Sequence, residues 1–446
     1  MRRFVVLFIV LVAVPLGAQS PAPLQVTHQQ FRLANGMNVI LHRDTTVPTV
    51  AVNVWYYVGS ANEKPGRTGF AHLFEHLMFE GSKNVPEGQF DLLLEGAGGN
   101  NNGSTNNDRT NYVIDVPPGA LELALYLESD RMGYLLDTMS PARVDGQRDV
   151  VKNERRQSYE NQPYGMASLE LDKMLWPAAH PYSWPTIGHM EDLTAASHSD
   201  VVEFFKKYYA PNNASLAIAG DIDFDRTRAL VEKWFGEIPR GSDVDQIAPP
   251  AARLTSVQKK TLTDKVSLPR LYLGWLTPRF YAPGDSALDV VSSVLAGGKN
   301  SRLYKRLVYD MQIAQDVSAF QQSGALGSSF LIVATARRGH TATELQAVID
   351  EELDRLRRDG PDAREVQRAV NQVEASFYRR MERVGGFGGK ANQLNAYAFA
   401  GGGPDYFAED LARYTSLSPA DIRSAAIEWL PPDRRIELVV EPEAGR

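Results

Sequence analysis

The sequence has no cysteine in its 446 residues. That excludes disulfides, thiolate metal sites and a lipid carried on a cysteine. Any metal must be held by His, Asp or Glu, and there are only eight histidines to draw on. Basic charge is not in excess either. A formal net charge of −7 argues against nucleic acid as a partner. After Leu16 no apolar run approaches membrane-spanning length, so the mature chain is expected to have no transmembrane segment. The glycine run Gly385–Gly389 has no strand pattern before it and no G-K-[ST] after it, which excludes a phosphate loop.

What is present starts with Met1-Arg-Arg, an apolar run from Phe4 to Leu16, and small residues at Gly17, Ala18 and Ser20. This is the layout of a signal peptide, expected to occupy residues 1–22 and to send the chain to a periplasm or beyond. The rest is ordinary for a globular protein, at 43% hydrophobic and 23% charged residues. Its length is too great for one core. Residues 238–252 contain Pro239, Gly241, Pro249 and Pro250 and few core residues. A linker is therefore placed at 241–252, between a first domain at 23–240 and a second at 253–446.

Alternation from Val26, with Asn35-Gly36 as a turn, predicts a hairpin, and Val47–Val58 a buried strand. The tract 98–107 (GGNNNGSTNN) reads by composition as a flexible polar loop. Because the strand Thr110–Val116 follows at once, it could instead be an exposed sheet edge, able to hold a peptide by backbone hydrogen bonds. Helices are predicted over 118–136, over 145–161, and after Ser199 as an N-cap, the last with Val202, Phe205 and Tyr209 inward. The second half repeats the plan. Val266–Trp275 corresponds to the strand Val47–Val58, and Ser286–Leu295 is a helix without histidine.

The stretch Phe70–Phe79 (FAHLFEHLMF) carries the chemistry. Phe70, Leu73, Phe74, Leu77 and Met78 recur at helical spacing and form one apolar stripe. His72 and His76, four residues apart, stack on another face with Glu75 beside them. The order is H-x-x-E-H, in which two imidazoles can share a Zn²⁺ and the carboxylate can reach a water. Two histidines at this spacing also occur as a plain polar face, so the motif alone leaves both possibilities open. Glu154 follows Val150 and Val151 by four and three residues, on their side of a helix, whereas Arg155 and Arg156 point elsewhere and look solvated. A carboxylate on an apolar side calls for a pair or a metal, which makes Glu154 the candidate third ligand.

With His72, Glu75, His76 and Glu154 assembled, the chain resembles the pitrilysin/insulinase family of zinc peptidases, in particular the branch with the mitochondrial processing peptidase subunits and short bacterial homologues. The spacing 154 − 76 = 78 and the text Gln147-Arg-Asp-Val-Val-Lys-Asn-Glu154 match the family's ligand helix. The family often has a second glutamate where this chain has Gln147, which would keep a supporting hydrogen bond without the charge. Asn102, Gly103, Ser104 and Thr105, with Thr110-Asn-Tyr112, match its substrate-binding edge strand. Arg306 matches a substrate-binding arginine of the second domain, while the tyrosine that accompanies it in relatives has no counterpart near Ile313–Gln315.

The resemblance implies an α+β fold of two homologous domains, each a mostly antiparallel sheet packed with helices. It implies one Zn²⁺ per chain on His72, His76 and Glu154, Glu75 as general base, and a peptide substrate. It also implies a homodimer, or a heterodimer with a homologous subunit. A catalytically silent subunit that has kept its motif is the alternative.

Overall fold

The computed structural model describes residues 25–443; the expected signal peptide lies outside them. The alternating residues after Val26 form the hairpin of β1 (Gln29–Arg32) and β2 (Asn38–Arg43). Its turn uses Gly36 at φ +93°, a conformation that suits glycine. Four more strands complete the first sheet: β3 (Val50–Tyr56), β4 (Asn100–Thr105), β5 (Thr110–Val116) and β6 (Ala214–Gly220). Their order is β1-β2-β6-β3-β5-β4, antiparallel except for β2 beside β6. β3 and β6 are buried along their whole length, which explains their near-continuous apolar sequences.

The second sheet consists of β7 (Gln258–Asp264), β8 (Arg270–Thr277), β9 (Ala314–Gln322), β10 (Ser328–Ala336) and β11 (Ile436–Pro442), in the order β7-β11-β8-β10-β9. Here too the single parallel pair is β7 beside β11. The run β2-β6-β3-β5-β4 therefore recurs as β7-β11-β8-β10-β9, the expected duplication of an α+β domain, with β1 as an addition.

The helices that build the site are α1 (Phe70–Leu77), α2 (Gln89–Gly96), α3 (Leu121–Tyr134), α4 (Pro141–Arg155) and α5 (Gly165–Leu175). The helix expected over 145–161 begins earlier, because Ser140 caps it and Pro141 suits its first turn. It becomes a wider π-helical turn at Arg156–Glu160. The later helix His198–Tyr208 is capped by Ser197, not Ser199. Ser197 and Asp200 form a reciprocal capping box, and Val201 rather than Val202 is fully buried. The polar tract is strand β4, not a loop, since β5 supplies partners along its length from Asn100 to Thr105.

The two halves are not cleanly divided at 241–252, although residues 239–257 contain no helix or strand. Each half lends a helix to the other's sheet. In the first half α5 packs Ala167, Leu171 and Leu175 into a cluster with Tyr272, Leu438 and Val440 of the second sheet. The Lys390–Ala400 helix of the second half covers Ile40, Ala51, Ala217 and Ala219 of the first sheet with Leu394 and Tyr397. Lys390 is paired with Asp44, and buried Asn395 donates to the backbone and side-chain oxygens of Asn53 at 2.9 and 2.8 Å. Leu394 is fully buried at this junction. Leu394→Ala is therefore expected to lower stability by about 3 kcal/mol and to shift one shared unfolding transition in calorimetry. Selective melting of the second half alone would contradict this joint packing.

Candidate metal centre

Helix α1 owes its place to its apolar stripe. Phe70, Leu73, Phe74 and Leu77 are buried in the main core of the first half. Its first turn is capped from outside the helix by Glu63, whose carboxylate accepts from Gly69 N at 2.9 Å and Ala71 N at 2.8 Å. These are free donors of a helix N-terminus, and a carboxylate there also complements the helix dipole. Gly69 has φ +88°, and a Cβ on it would lie 3.0 Å from Gly188 Cα. The start of α1 thus sits directly on the loop at Gly188.

The same loop fixes α4. Arg155 is buried and donates from Nε to the Gly188 carbonyl at 3.1 Å, with Glu160 paired to its Nη1. The expectation that Arg155 is solvated fails. Arg155 follows Val151 by one helical turn, and Val151 is the buried valine. Val150 is 46% exposed, so only one of the two valines marks the buried side. Glu154 lies at the margin of that side and faces α1.

The outcome is a three-donor cluster. Glu154 Oε2 is 3.3 Å from His76 Nε2 and 3.7 Å from His72 Nε2. Among the described residues this is the one group of three or more His, Asp or Glu with ligand atoms within 4.8 Å of one another. Ligands on a tetrahedral Zn²⁺ at about 2.0–2.1 Å stand about 3.4 Å apart. The donor set, two imidazoles and a carboxylate with no thiolate, fits zinc and leaves a fourth position free. His72 and His76 are mostly buried, whereas the Glu154 side chain is 40% exposed, so the open side is towards solvent. His72 Nδ1 is buried without a partner. Gln147 lies near enough to His76 to help raise its pKa, and its Nε2 donates to Glu80 Oε1 at 2.7 Å.

Electrostatics split the two histidines. Burial pushes His72 down to about 4, outweighing the pull of Glu154. For His76 burial also lowers, but hydrogen bonding and charge from Glu154 outweigh it, and the net shift is upward. The His76 hydrogen bond holds Glu154 below the usual glutamate range.

Glu75 points from α1 to the sheet edge. A Cβ on Gly103 would lie 3.0 Å from Glu75 Cγ, so a methyl group at this β4 position would press on the glutamate. Burial pushes the Glu75 pKa up, and the neighbouring Thr105 hydroxyl offsets part of that rise. Arg109, in the turn after β4, lies close enough to lower it partly. Of the residues expected to bind substrate, Gly103 and Thr105 meet Glu75. Ser104 lies on the opposite face of the strand, and Asn102 Oδ1 accepts from Gly103 N at 2.8 Å. Among the described residues β4 is the last strand of its sheet, and its outer edge has no strand beside it. Arg306 is not brought to this cluster; Glu351 and Glu352 engage its guanidinium, the latter at 2.8 Å. Glu63, Arg155 and Arg109 carry no signal in the local sequence pattern, since their partners lie outside the helical and strand periodicities, in neighbouring loops and turns.

The second half has no such centre. Its helix Asp285–Ala296 starts on Gly284, left-handed like Gly69. Matching those glycines places Ala287, Val290 and Val291 where α1 has His72, Glu75 and His76, and all three are buried core residues.

Two sheets of one topology, with an inverted H-x-x-E-H helix in the first half and apolar residues in its place in the second, define a two-domain class of zinc-motif proteins. The family model for insulinase (peptidase family M16) matches residues 38–176, and that for the peptidase M16 inactive domain matches 195–373. A protein named zinc protease PqqE from Helicobacter pylori is 30% identical over 381 residues, covering 83% of this chain and 84% of its own. An uncharacterized zinc protease, YmxG of Bacillus subtilis, is 25% identical over 79% of this chain and 84% of its own. The crystal structure of a protease from Helicobacter pylori superposes with a TM-score of 0.85 at 27% identity, covering 93% of this chain and all of that one. The periplasmic protease PqqL from Escherichia coli gives 0.75 at 18% identity over 94% of this chain and 48% of its own. The chain belongs to the insulinase family of peptidases, also called the pitrilysin/insulinase family.

Metal binding requires neutral imidazoles. His72 stays neutral well below pH 6, and Glu154 stays ionised. His76, raised above the ordinary value, is the group on which protons compete. Zinc affinity, measured by chelator competition, is expected to be flat above the His76 pKa. Below it, down towards pH 5, affinity falls about tenfold per pH unit, as for one displaced proton. A pH-independent affinity over this range would contradict the assignment.

Proposed function

We propose that the chain is a zinc-dependent endopeptidase that hydrolyses unstructured peptides. One observation carries this reading: Glu75, on the same helix as His72 and His76, lies close against Gly103 of the edge strand β4. A base at that point can serve both a metal and a peptide laid along the strand.

His72, His76 and Glu154 would hold the Zn²⁺. When bound, zinc supplies a Lewis acid that polarises a carbonyl and acidifies a water. The main chain of β4 offers N–H and C=O groups to an extended peptide, which adds as a further strand. Glu75 accepts a proton from the attacking water as its oxygen bonds to the carbonyl carbon. It then gives that proton to the amine nitrogen as the C–N bond breaks. Burial raises the basicity of Glu75, which suits a group that takes and returns a proton near neutral pH. Gln147 steadies His76 through its side chain.

The matched "inactive domain" description supports the active reading over a silent subunit, because it falls on residues 195–373 and not on the half with His72, Glu75, His76 and Glu154. Pairing with a second copy or a homologous subunit is also proposed, with Arg306 offered to the partner's substrate. Support for it is that this chain covers only 48% of PqqL. Among the described residues no helix is long and apolar enough to cross a membrane. The Met1–Ala22 layout supports export, and periplasmic is the word attached to PqqL.

Glu75→Gln should keep stoichiometric zinc and lose at least about 10²-fold in peptide cleavage. His76→Ala should lose both. Metal analysis beside cleavage of a denatured protein tests this, and near-normal cleavage by Glu75→Gln would exclude the base role. Gly103→Ala should retain zinc but cut turnover by about tenfold, since its methyl group displaces Glu75. Unchanged turnover would show that the contact is irrelevant to catalysis.

A further inference from the structure

The face of β4 turned away from Glu75 is tied to the other half of the protein. Ser104, Asn111 and Trp55 are register partners across β4, β5 and β3, so they form one row on that face. Arg109 Nη1 donates to the Ser104 carbonyl at 2.7 Å and to its hydroxyl at 2.6 Å. The Ser104 hydroxyl donates to Asn111 Oδ1 at 2.6 Å. Asn111 Nδ2 then donates to Asn392 Oδ1 at 2.9 Å, and the same oxygen accepts from Trp55 Nε1 at 2.8 Å. The Arg109 guanidinium lies over the Trp55 ring at 5.4 Å and closes the circuit.

Every bond in this ring has a donor matched to an acceptor. The one member from the second half is Asn392, on the Lys390–Ala400 helix, whose own Nδ2 donates to the Phe387 carbonyl at 2.8 Å. Asn111 and Trp55 are buried, so removing Asn392 Oδ1 would leave two buried donors without that partner. β4 is an outermost strand with a partner on only one side, so little else fixes its height above the sheet. It is thus gripped from both faces: Gly103 and Thr105 against Glu75, Ser104 through Asn111 to Asn392.

We infer that Asn392 is a positioning residue for the peptide-binding edge, by which the half without a metal site sets the placement of β4 relative to Glu75. This rests on the peptidase reading above, with β4 as the strand along which the peptide lies. Asn392 touches neither the metal ligands nor Glu75. Its effect travels through Asn111 and Ser104, and so it acts on how an extended peptide binds.

The experiment compares Asn392→Leu and Asn392→Asp in the full chain. Both variants lose the donor to Phe387; Leu keeps the bulk but not the acceptor, while Asp keeps the acceptor, so the difference between them reads the acceptor. Three properties are measured: zinc content, KM and kcat on a ten-residue peptide against a dipeptide amide, and hydrogen exchange of the β4 amides. Asn392→Leu should bind zinc normally, raise KM for the long peptide by about tenfold with kcat little changed, and speed β4 exchange. The dipeptide, too short to run along β4, should be cleaved as by wild type. Asn392→Asp should restore KM and exchange to within about twofold. An unchanged KM and unchanged β4 exchange in Asn392→Leu would overturn the inference, as would equal losses on both substrates. If wild type cleaves neither substrate, the peptidase reading fails. The exchange data then still decide whether Asn392 holds β4.

Discussion

The structure depends on two helices meeting at three side chains, two from α1 and one from α4. The pair His72 and His76 follows from helix geometry alone, since four residues bring two side chains onto one face. A third donor from the same helix would be hard to place, so it must come from elsewhere. Glu154, 3.3 Å from His76, arrives on α4. Its position is good only if α1 and α4 are fixed to within a fraction of an ångström of each other. The loop at Gly188 does this. Gly69 at the start of α1 packs on it without room for a methyl group, and Arg155 at the end of α4 bonds its carbonyl. Glu63 adds a cap that no water could supply in a buried place.

The same economy of placement explains why the polar strand β4 is polar. One face meets a buried carboxylate, the other an amide network, and the edge is free. Asparagine, glycine, serine and threonine satisfy those demands, whereas the usual β-branched apolar residues would leave Glu75 and Asn111 without partners. The second half kept the topology but filled the equivalent helix with Ala287, Val290 and Val291. A helix without an open polar face can bury that side, as Ala287, Val290 and Val291 do. The exchange of helices across the two sheets ties the two halves together.

Much of this was legible in the sequence. The apolar stripe of α1, the inverted motif and the Asn35-Gly36 turn are local signals, each confined to one element. The duplication was legible because β3 and β8 share a buried apolar strand and each is followed by a helix. The pattern that singles out Glu154 rests partly on a valine, Val150, that is exposed. Arg155 was misjudged because its partners, Gly188 and Glu160, are set by the fold and not by helix periodicity. The composition of 98–107 pointed to a loop because a strand that faces polar groups on both sides has a loop's composition. The Lys390–Ala400 helix mixes small, amide and aromatic residues without one clean stripe, so nothing local announced that it covers the first sheet.

The most direct test of the account is anomalous scattering at the zinc edge from crystals grown with the metal. One peak per chain is predicted, about 2.0–2.2 Å from a nitrogen of His72, a nitrogen of His76 and an oxygen of Glu154. A peak without Glu154 among its ligands, or zinc bound only elsewhere on the chain, would contradict it.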